Sequence, residues 1–154
     1  MSDFFSYTGP GTAPAAPGTA PQRAILADLS GDDWERFIAY GARRRYPAGA
    51  VIVPLADTDP ALHFIASGQV KLVNAHGQSA LRGEGEAFGV LSFLDGAPSE
   101  VTATAAQGNP AEVLRLTPDA LQQLAAWQPR IAIALLRDLG AHVAMRLRRL
   151  QPGD

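Results

Sequence analysis

The feature that most constrains the fold of this 154-residue chain is a series of short β-rich runs between positions 47 and 116. Glycines and other turn residues separate these runs, so each one is long enough for a strand and too short for a helix. The predicted strands are Val51–Val53, Leu62–Ala66, Gln69–Val73, Ser79–Arg82, Val101–Ala105 and Glu112–Leu116. Strands of this length and spacing predict a β-sandwich or a jelly roll.

The sequence before the strands divides into a tail and a helix. Residues 1–22 are rich in Pro, Ala and Gly and offer little apolar surface to bury, so a disordered tail is predicted there. Residues 23–154 are predicted to form one domain. A helix is predicted from about Arg23 to Ala42, or two short helices broken near Gly31, because Ser30 has the properties of an N-cap.

Two helices are predicted after the strands. Thr117 followed by Pro118 is typical of a helix start, with an N-cap and then proline in the first turn. Pro129 opens a second helix that is predicted to run over about residues 129–150. The order of helix, roughly eight strands and two helices predicts an α+β domain whose strands form one block.

Composition excludes several classes of protein. The formal charge is −2, which argues against nucleic acid as the main partner. The chain has no cysteine, so it has no disulfide and no cysteine-ligated zinc or iron–sulfur centre. No apolar run is long enough to span a membrane and no basic, then apolar, signal segment opens the chain, so a cytoplasmic location is expected.

The sequence also lacks the usual signs of a catalytic or metal centre. His63, His76 and His142 are not spaced as metal-ligand pairs, so no metal site is predicted. His63 is predicted to lie on a strand and His76 in a turn, each without a ligand. The weaker alternative is that one of them is a haem ligand. No serine-hydrolase elbow, P-loop or zinc-protease motif is present, and a non-enzymatic protein is expected.

Three segments and the terminal helix together resemble a known family. The segments read YPAGAVI at 46–52, LHFIASGQVKL at 62–72 and GEAFGVLSFL at 85–94. In this order, the chain from about Leu26 to Leu150 resembles the cyclic-nucleotide-binding domain of catabolite-activator and Fnr regulators and of protein kinase regulatory subunits. The resemblance implies an eight-stranded jelly roll with an N-terminal helix and two C-terminal helices. Ala56 departs from it, because the family usually has glycine before the acid at Asp57.

The resemblance also implies a phosphate-binding cassette that begins at GEAFG and enters a short helix at about residues 89–93. In ligand-binding relatives a Glu after the second glycine accepts from the ribose 2′-hydroxyl, and an Arg about nine residues later pairs with the cyclic phosphate. Val90 and Ser99 occupy these positions here, and Glu100 would repel a phosphate. The candidate ligand-contacting residues are Phe88, Gly89, Val90, Leu91, Ser92, Ser99, Glu100 and Val101.

Three interpretations of the cassette remain open. It is a structural relic with Val90 and Phe93 packed inward, or it binds a different ligand through Ser92, Ser99 and backbone N–H groups. In the third, it still binds a cyclic nucleotide, with Arg82 or another base supplying the charge. We therefore expect cAMP or cGMP binding to be weakened or lost, with no required cofactor and a cyclic nucleotide as the one candidate ligand.

The last helix predicts a homodimer. Its apolar side chains recur at spacings of 3, 4, 4 and 3, close to the period of a coiled coil. They are Leu136, Leu139, Val143, Leu147 and Leu150. The equivalent helix forms the dimer interface in the regulators that the chain resembles. Arginines in the last turns are explained by the helix dipole, with a nucleic-acid or membrane contact as the alternative.

Two functions follow as hypotheses. The first is a non-enzymatic regulatory or signalling module that acts through protein–protein contacts with an unknown partner. The alternative is a small-molecule or cyclic (di)nucleotide sensor with a non-standard cassette. It needs a pocket between the β roll and the terminal helix, lined by Val90, Leu91, Ser92, Ser99 and Val101. A helix-turn-helix domain follows that helix in the resembled regulators, and no DNA-binding domain is expected within these 154 residues.

Overall fold

Eight strands form two antiparallel sheets in the computed structural model, which describes residues 25–150. In chain order the elements are α1 (Gly31–Ile38), β1 (Ala42–Tyr46), β2 (Val51–Val53), β3 (Leu62–Ser67), β4 (Val70–Asn74), β5 (Ser79–Arg82), β6 (Ala87–Phe88), α2 (Val90–Asp95), β7 (Val101–Ala105), β8 (Ala111–Leu116), α3 (Pro118–Trp127) and α4 (Pro129–Leu150). One sheet has the order β1-β8-β3-β6 and the other β2-β7-β4-β5. The α+β prediction and the jelly-roll prediction are confirmed.

The N-terminal prediction was wrong in part. The predicted disordered tail at residues 1–22 lies outside the described residues. Of the predicted helix from Arg23 to Ala42, the part described from residue 25 onwards is helical at Gly31–Ile38, and residues 25–28 form a turn. Ala42–Tyr46 is instead the edge strand β1, paired with β8. Its ARRRY sequence lacks the apolar alternation that reveals a half-buried strand, since four of its five residues are exposed.

Each six-residue strand of the first sheet contributes to two cores. Along β3, Leu62 and Phe64 point towards the helices, and Ile65 points into the space between the sheets. This follows from the two-residue period of a strand, whose successive side chains alternate between faces. β8 behaves in the same way, with Leu114 on the helix side and Val113 inside the roll. In β3, four consecutive residues from Leu62 to Ile65 are therefore buried although successive side chains point to opposite faces.

An aromatic cluster joins α1 to the sheet. The ring centroids of Trp34 and Phe37 lie 5.3 Å apart, and Phe37 contacts Phe64 edge-on at 5.2 Å. Both helix residues lie on one side of α1, where its apolar face meets β3. The helix begins as predicted at Ser30, whose hydroxyl accepts from the backbone N–H of Asp33.

The two C-terminal helices also begin where the sequence predicts. The Thr117 hydroxyl accepts from the N–H of Ala120, and Pro118 stands in the first turn of α3. α4 runs over Pro129–Leu150, which agrees with the predicted 129–150. No helix within residues 25–150 is both long and apolar enough to cross a membrane.

The start of α4 is fixed to the N-terminal segment by two polar contacts. Arg130 donates from both terminal nitrogens to the carboxylate of Asp33, at 2.7 and 2.8 Å. The Asp138 carboxylate accepts from the backbone N–H of Leu26 at 2.8 Å. Hydrogen bonds from Arg130 and then Arg36 hold the pKa of Asp33 at about 2. These contacts place α4 beside α1 with a defined orientation.

Candidate functional site

The cassette consists of β6, one glycine and the short helix α2. The predicted helix at about 89–93 is observed at Val90–Asp95. Gly89 precedes it with φ of 80°, and a Cβ there would lie 2.6 Å from the carbonyl oxygen of Ala61. Both the left-handed backbone and the close approach require glycine. The backbone path of the cassette therefore depends on this one residue.

Two cassette side chains lie in the core on the helix side of the first sheet. Val90 is 4% exposed and Phe93 is 6% exposed, and both belong to the cluster that contains Phe64 and Leu135. Val90 occupies the position where ligand-binding members of the resembled family have Glu. A buried carboxylate there would lie among apolar groups at a large desolvation cost.

Ser99 is held by the backbone around it. Its N–H donates to the carbonyl of Asp57, its carbonyl accepts from Ala56, and its hydroxyl donates to the Val101 carbonyl at 2.8 Å. Ala56 has a φ of 65°, in the left-handed region. This explains why glycine is usual at that position in the resembled family, because alanine is strained there. Ser99 is therefore a structural link between the cassette and the β2–β3 loop.

The space in front of the cassette is a cleft of about 20 Å³. It is lined by Val53, Asp57, Asp59, Pro60, Ala61, His63, Phe88, Gly89, Ser92, Ser99 and Val101. That volume holds about one water molecule, whereas small-molecule sites measure about 300–1,000 Å³. Asp57, one of the two acids among the lining residues, would also repel a phosphate, whereas Asp59 is paired with Arg115 at 2.7 Å.

The expected pocket lining is therefore wrong in part. The structure brings together five of the predicted residues, namely Phe88, Gly89, Ser92, Ser99 and Val101. Val90, Leu91 and Glu100 are not among the lining residues, since Val90 faces the core and Glu100 faces solvent. Among the described residues, none from the terminal helix lines the cleft, so the cleft is not the roll-to-helix pocket that the sensor hypothesis expects.

His63 closes the cleft from the β3 side. Its ring stacks on Phe88 with centroids 4.7 Å apart and planes 3° from parallel, and the two residues are paired between β3 and β6. Burial and the nearby charge of Arg115 lower the pKa of His63 to about 4, so the imidazole is neutral at pH 7. Its Nδ1 has no hydrogen-bond partner. The sequence analysis placed His63 on a strand and did not detect this stack, because the pairing is between distant segments.

The terminal helix does not leave all five predicted dimer residues exposed. Leu139 is 0% exposed and lies in the core of its own domain, and Val143 packs against the same core. The prediction that Leu139 belongs to a dimer interface is wrong. Leu136, Leu147 and Leu150 are exposed, as is Ile133. The exposed face therefore includes only part of the predicted stripe.

Comparison with known proteins identifies the family. The model of the cyclic nucleotide-binding domain matches residues 43–126, which is more than half of the chain. The chain belongs to the cyclic nucleotide-binding domain family. It is similar to the cyclic AMP receptor protein of Thermus thermophilus, at 34% identity over 141 residues, 88% of this chain and 58% of that protein.

One further sequence and one solved structure are also similar to this chain. The chain is 28% identical over 127 residues to Glutaminase 2 of Bradyrhizobium diazoefficiens, covering 82% of this chain and 20% of that protein. It also resembles the crystal structure of a cyclic nucleotide-binding domain from Methylobacillus flagellatus, with a TM-score of 0.71, 25% identity and coverage of 81% and 72%. The chain thus spans 58% and 20% of its two curated relatives.

Proposed function

We propose that this member of the cyclic nucleotide-binding domain family is a non-enzymatic regulatory module whose cassette does not hold a cyclic nucleotide. The observation that carries this proposal is the 20 Å³ cleft, which His63 and Phe88 close and two acids border. The residues present do not fit the ligand that gives the family its name. Val90 offers no acceptor to a ribose, and the Ser99 hydroxyl is already bonded to Val101.

Calorimetric titration of the full chain with cAMP, cGMP and cyclic di-GMP tests this proposal. We expect no binding at micromolar ligand, because a cyclic nucleotide cannot enter without displacing the stacked rings. Ser99→Arg supplies the missing positive charge at a half-buried position. We expect this variant also to bind no cyclic nucleotide, because the cleft stays closed. Micromolar binding by the unaltered chain contradicts the proposal. If Ser99→Arg binds a cyclic nucleotide and the unaltered chain does not, the closed cleft is not the reason for the absence of binding.

The module is proposed to act through contacts with other protein chains, first of all with a second copy of itself. The outward face of α4 carries a regular series at spacings of 3, 4, 3, 4 and 3. Its members are Ile133, Leu136, Gly140, Val143, Leu147 and Leu150, and all of them are exposed except Val143, which is partly buried against the domain core. This alternation is the heptad pattern of a two-stranded coiled coil, and one helix face that pairs with itself gives a twofold dimer. In this revised series Gly140 takes the place near the middle of the dimer interface that the sequence analysis gave to Leu139.

Light scattering tests this dimer. We expect the unaltered chain to have twice the mass of one chain, and the double change of Leu136→Glu and Leu147→Glu to reduce it to one, because like charges would oppose across the interface. Leu94→Glu is the matched control, since Leu94 is similarly exposed but lies on α2. A single-chain mass for the unaltered protein at high micromolar concentration contradicts the proposal.

A further inference from the structure

A second cleft lies at the end of the first sheet that is farther from the cassette. It is lined by residues of the β3–β4, β5–β6 and β7–β8 connections and by Arg45 of β1, and its volume is about 540 Å³. Small-molecule sites measure about 300–1,000 Å³, so this cleft has the size that the cassette cleft lacks. We call it the turn cleft.

The turn cleft is separate from the cassette. The cassette cleft reaches the start of β3 at His63, and the turn cleft reaches the end of the same strand at Ser67. Four residues of a strand span about 13 Å. The two clefts also share no lining residue, so a ligand in one does not touch the other.

The floor of the turn cleft is made of backbone in close contact. Gly68 has a φ of 81°, and a Cβ there would lie 2.5 Å from the carbonyl oxygen of Pro110. The N–H of Ala106 donates to the carbonyl of Gln69 at 2.9 Å. Only glycine permits this approach of the β3–β4 turn to the β7–β8 connection. The cleft is therefore formed by the fold itself, without a ligand.

The turn that carries Glu84 is also held in place. The N–H of Gly83 donates to the buried carboxylate of Glu86 at 2.7 Å, and the N–H of Glu86 donates to the carbonyl of Gly83 at 3.1 Å. The N–H of Gly85 donates to the carbonyl of Ile65 on β3 at 2.9 Å. The exposed Glu84 therefore brings a negative charge to the cleft from a fixed backbone position.

Arg45 brings a positive charge that no other residue neutralises. Glu112 lies opposite Arg45 in the register of β1 and β8, but its carboxylate pairs with Arg43 at 3.7 Å. Between residues 25 and 150, neither Arg45 nor Glu84 forms an ion pair or a side-chain hydrogen bond, with each other or with any other residue. One unpaired charge of each sign thus lines the same cleft.

The rest of the lining is polar but neutral. The side chains of Ser67, Gln69 and Asn109 make no hydrogen bond to the described part of the chain, and each can both donate and accept. The apolar side chains of the lining are the small ones of Pro110 and Ala111. The cleft therefore offers partners for amide groups and for two opposite charges, and no deep pocket for a large apolar group.

We infer that the turn cleft binds a short peptide of two or three residues with free termini. Arg45 pairs with its C-terminal carboxylate, because a guanidinium matches the two oxygens of a carboxylate, and Glu84 pairs with its N-terminal ammonium. The neutral side chains bind the peptide groups between the termini. A plain anion would leave Glu84 unpaired, and a plain cation would leave Arg45 unpaired. This inference goes beyond the proposed function and does not depend on an empty cassette.

Titration of the full chain with trialanine, followed by nuclear magnetic resonance of the backbone amides, tests the inference. Trialanine has both free termini and no large side chain. We expect saturable shifts at Gly68, Gly83 and Asn109 and none at Gly89 of the cassette. The N-acetylated and the C-amidated peptides each lack one charge and should bind about fivefold more weakly or worse.

Three results of this titration overturn the inference. The first is the absence of saturable shifts at about 10 mM trialanine, where even a millimolar site is mostly filled. The second is a set of shifts centred on Gly89. The third is equal affinity for trialanine, for its two capped forms or for free alanine. Shifts at Gly89 with a cyclic nucleotide contradict the proposed function and not this site, so the two failures are distinguishable.

Variants match each protein charge to one end of the peptide. Arg45→Gln should weaken trialanine about fivefold and leave the C-amidated peptide within about twofold, because that peptide lacks the carboxylate. Glu84→Gln should have the same relation to the N-acetylated peptide. Both positions are exposed, so we expect both variants to fold.

Arg44→Gln and Glu100→Gln are the matched controls. Each makes the same change of charge at an exposed residue that does not line the turn cleft. Trialanine should bind both controls within about twofold of the unaltered chain. Equal losses in the controls would reduce the effect to overall charge and overturn the site. Equal losses for the capped and the free peptides would overturn the assigned roles of Arg45 and Glu84.

Discussion

The two halves of α4 have the same helical geometry and different surroundings. In residues 129–139, Ile131, Ala132, Leu135 and Leu139 are buried, and Arg130 and Asp138 bind the N-terminal segment. In residues 140–150 only His142 is buried. The first half therefore belongs to the core of the domain, while the second half is mostly exposed and carries both leucines and arginines on its surface.

This difference teaches how one helix can serve both stability and recognition. Burial of large apolar side chains in the first half contributes to the folding free energy of the domain itself. The second half has little burial of this kind, so its exposed leucines add little to the stability of a single domain and remain available to a partner chain. Substitutions in the two halves should consequently have different kinds of effect.

The largest effect is expected from Leu139→Ala, which leaves a cavity in the core and should lower the free energy of unfolding by about 2–5 kcal/mol. Leu147→Ala is the control in the second half. Urea denaturation at two protein concentrations, tenfold apart, measures the free energy of unfolding of both variants and distinguishes them. Leu139→Ala should destabilise equally at both, whereas the effect of Leu147→Ala should depend on concentration. Similar concentration dependence in both variants would remove the distinction between the halves.

Acid provides a second test, because His142 stands at the border between the halves. Its pKa of about 4 lies below the usual 6.5, so the unfolded chain binds a proton that the folded chain does not. The free energy of unfolding should therefore fall as the pH falls from about 6.5 to 4. We expect a contribution of the order of 1 kcal/mol, since solvent screens the neighbouring arginines.

The control for this pH profile is His142→Gln, measured by denaturation across the same range. The slope should decrease without vanishing, because His63 also has a pKa of about 4 and contributes with the same sign. An unchanged slope would show that His142 is not buried in the folded domain.

The smallest effect is expected from Gly140→Ala. A Cβ at this helical position meets nothing within 4 Å, so alanine should stabilise a single domain by about 0.5–1 kcal/mol. In a dimer whose helices approach closely at Gly140, the same methyl group should weaken association. Thermal denaturation and light scattering measure the two effects. Stronger association in Gly140→Ala would show that the helices do not meet there.

Much of the fold could be predicted from local signals. Gly-rich turns located six of the eight strands, and Ser30, Thr117 and Pro129 marked the helix starts. β1 could not be found in this way, because an exposed edge strand needs no apolar alternation. It is a strand because β8 offers it a register of hydrogen bonds, which only the folded sheet provides.

The cassette shows the same limit. The family resemblance placed Val90 and Ser99 at the positions of the ligand-binding Glu and Arg, and the structure adds that Val90 is buried and Ser99 is bonded to backbone. The stack of His63 on Phe88 joins residues 25 positions apart and follows from strand pairing. No local pattern encodes it.

By itself, the sequence predicted an α+β chain with a block of short strands followed by two helices, because strand length, turn glycines and helix caps are local properties; the choice of a jelly roll came from the family resemblance. The tertiary structure decided which side of α4 packs against the core. A series of apolar residues on a helix can pack against its own domain or against another chain, and the sequence does not distinguish the two. The same holds for Arg82, which is an ordinary strand residue in the sequence. Only the folded domain encloses its Nε without a hydrogen-bond partner, because burial depends on neighbours that are distant in the sequence.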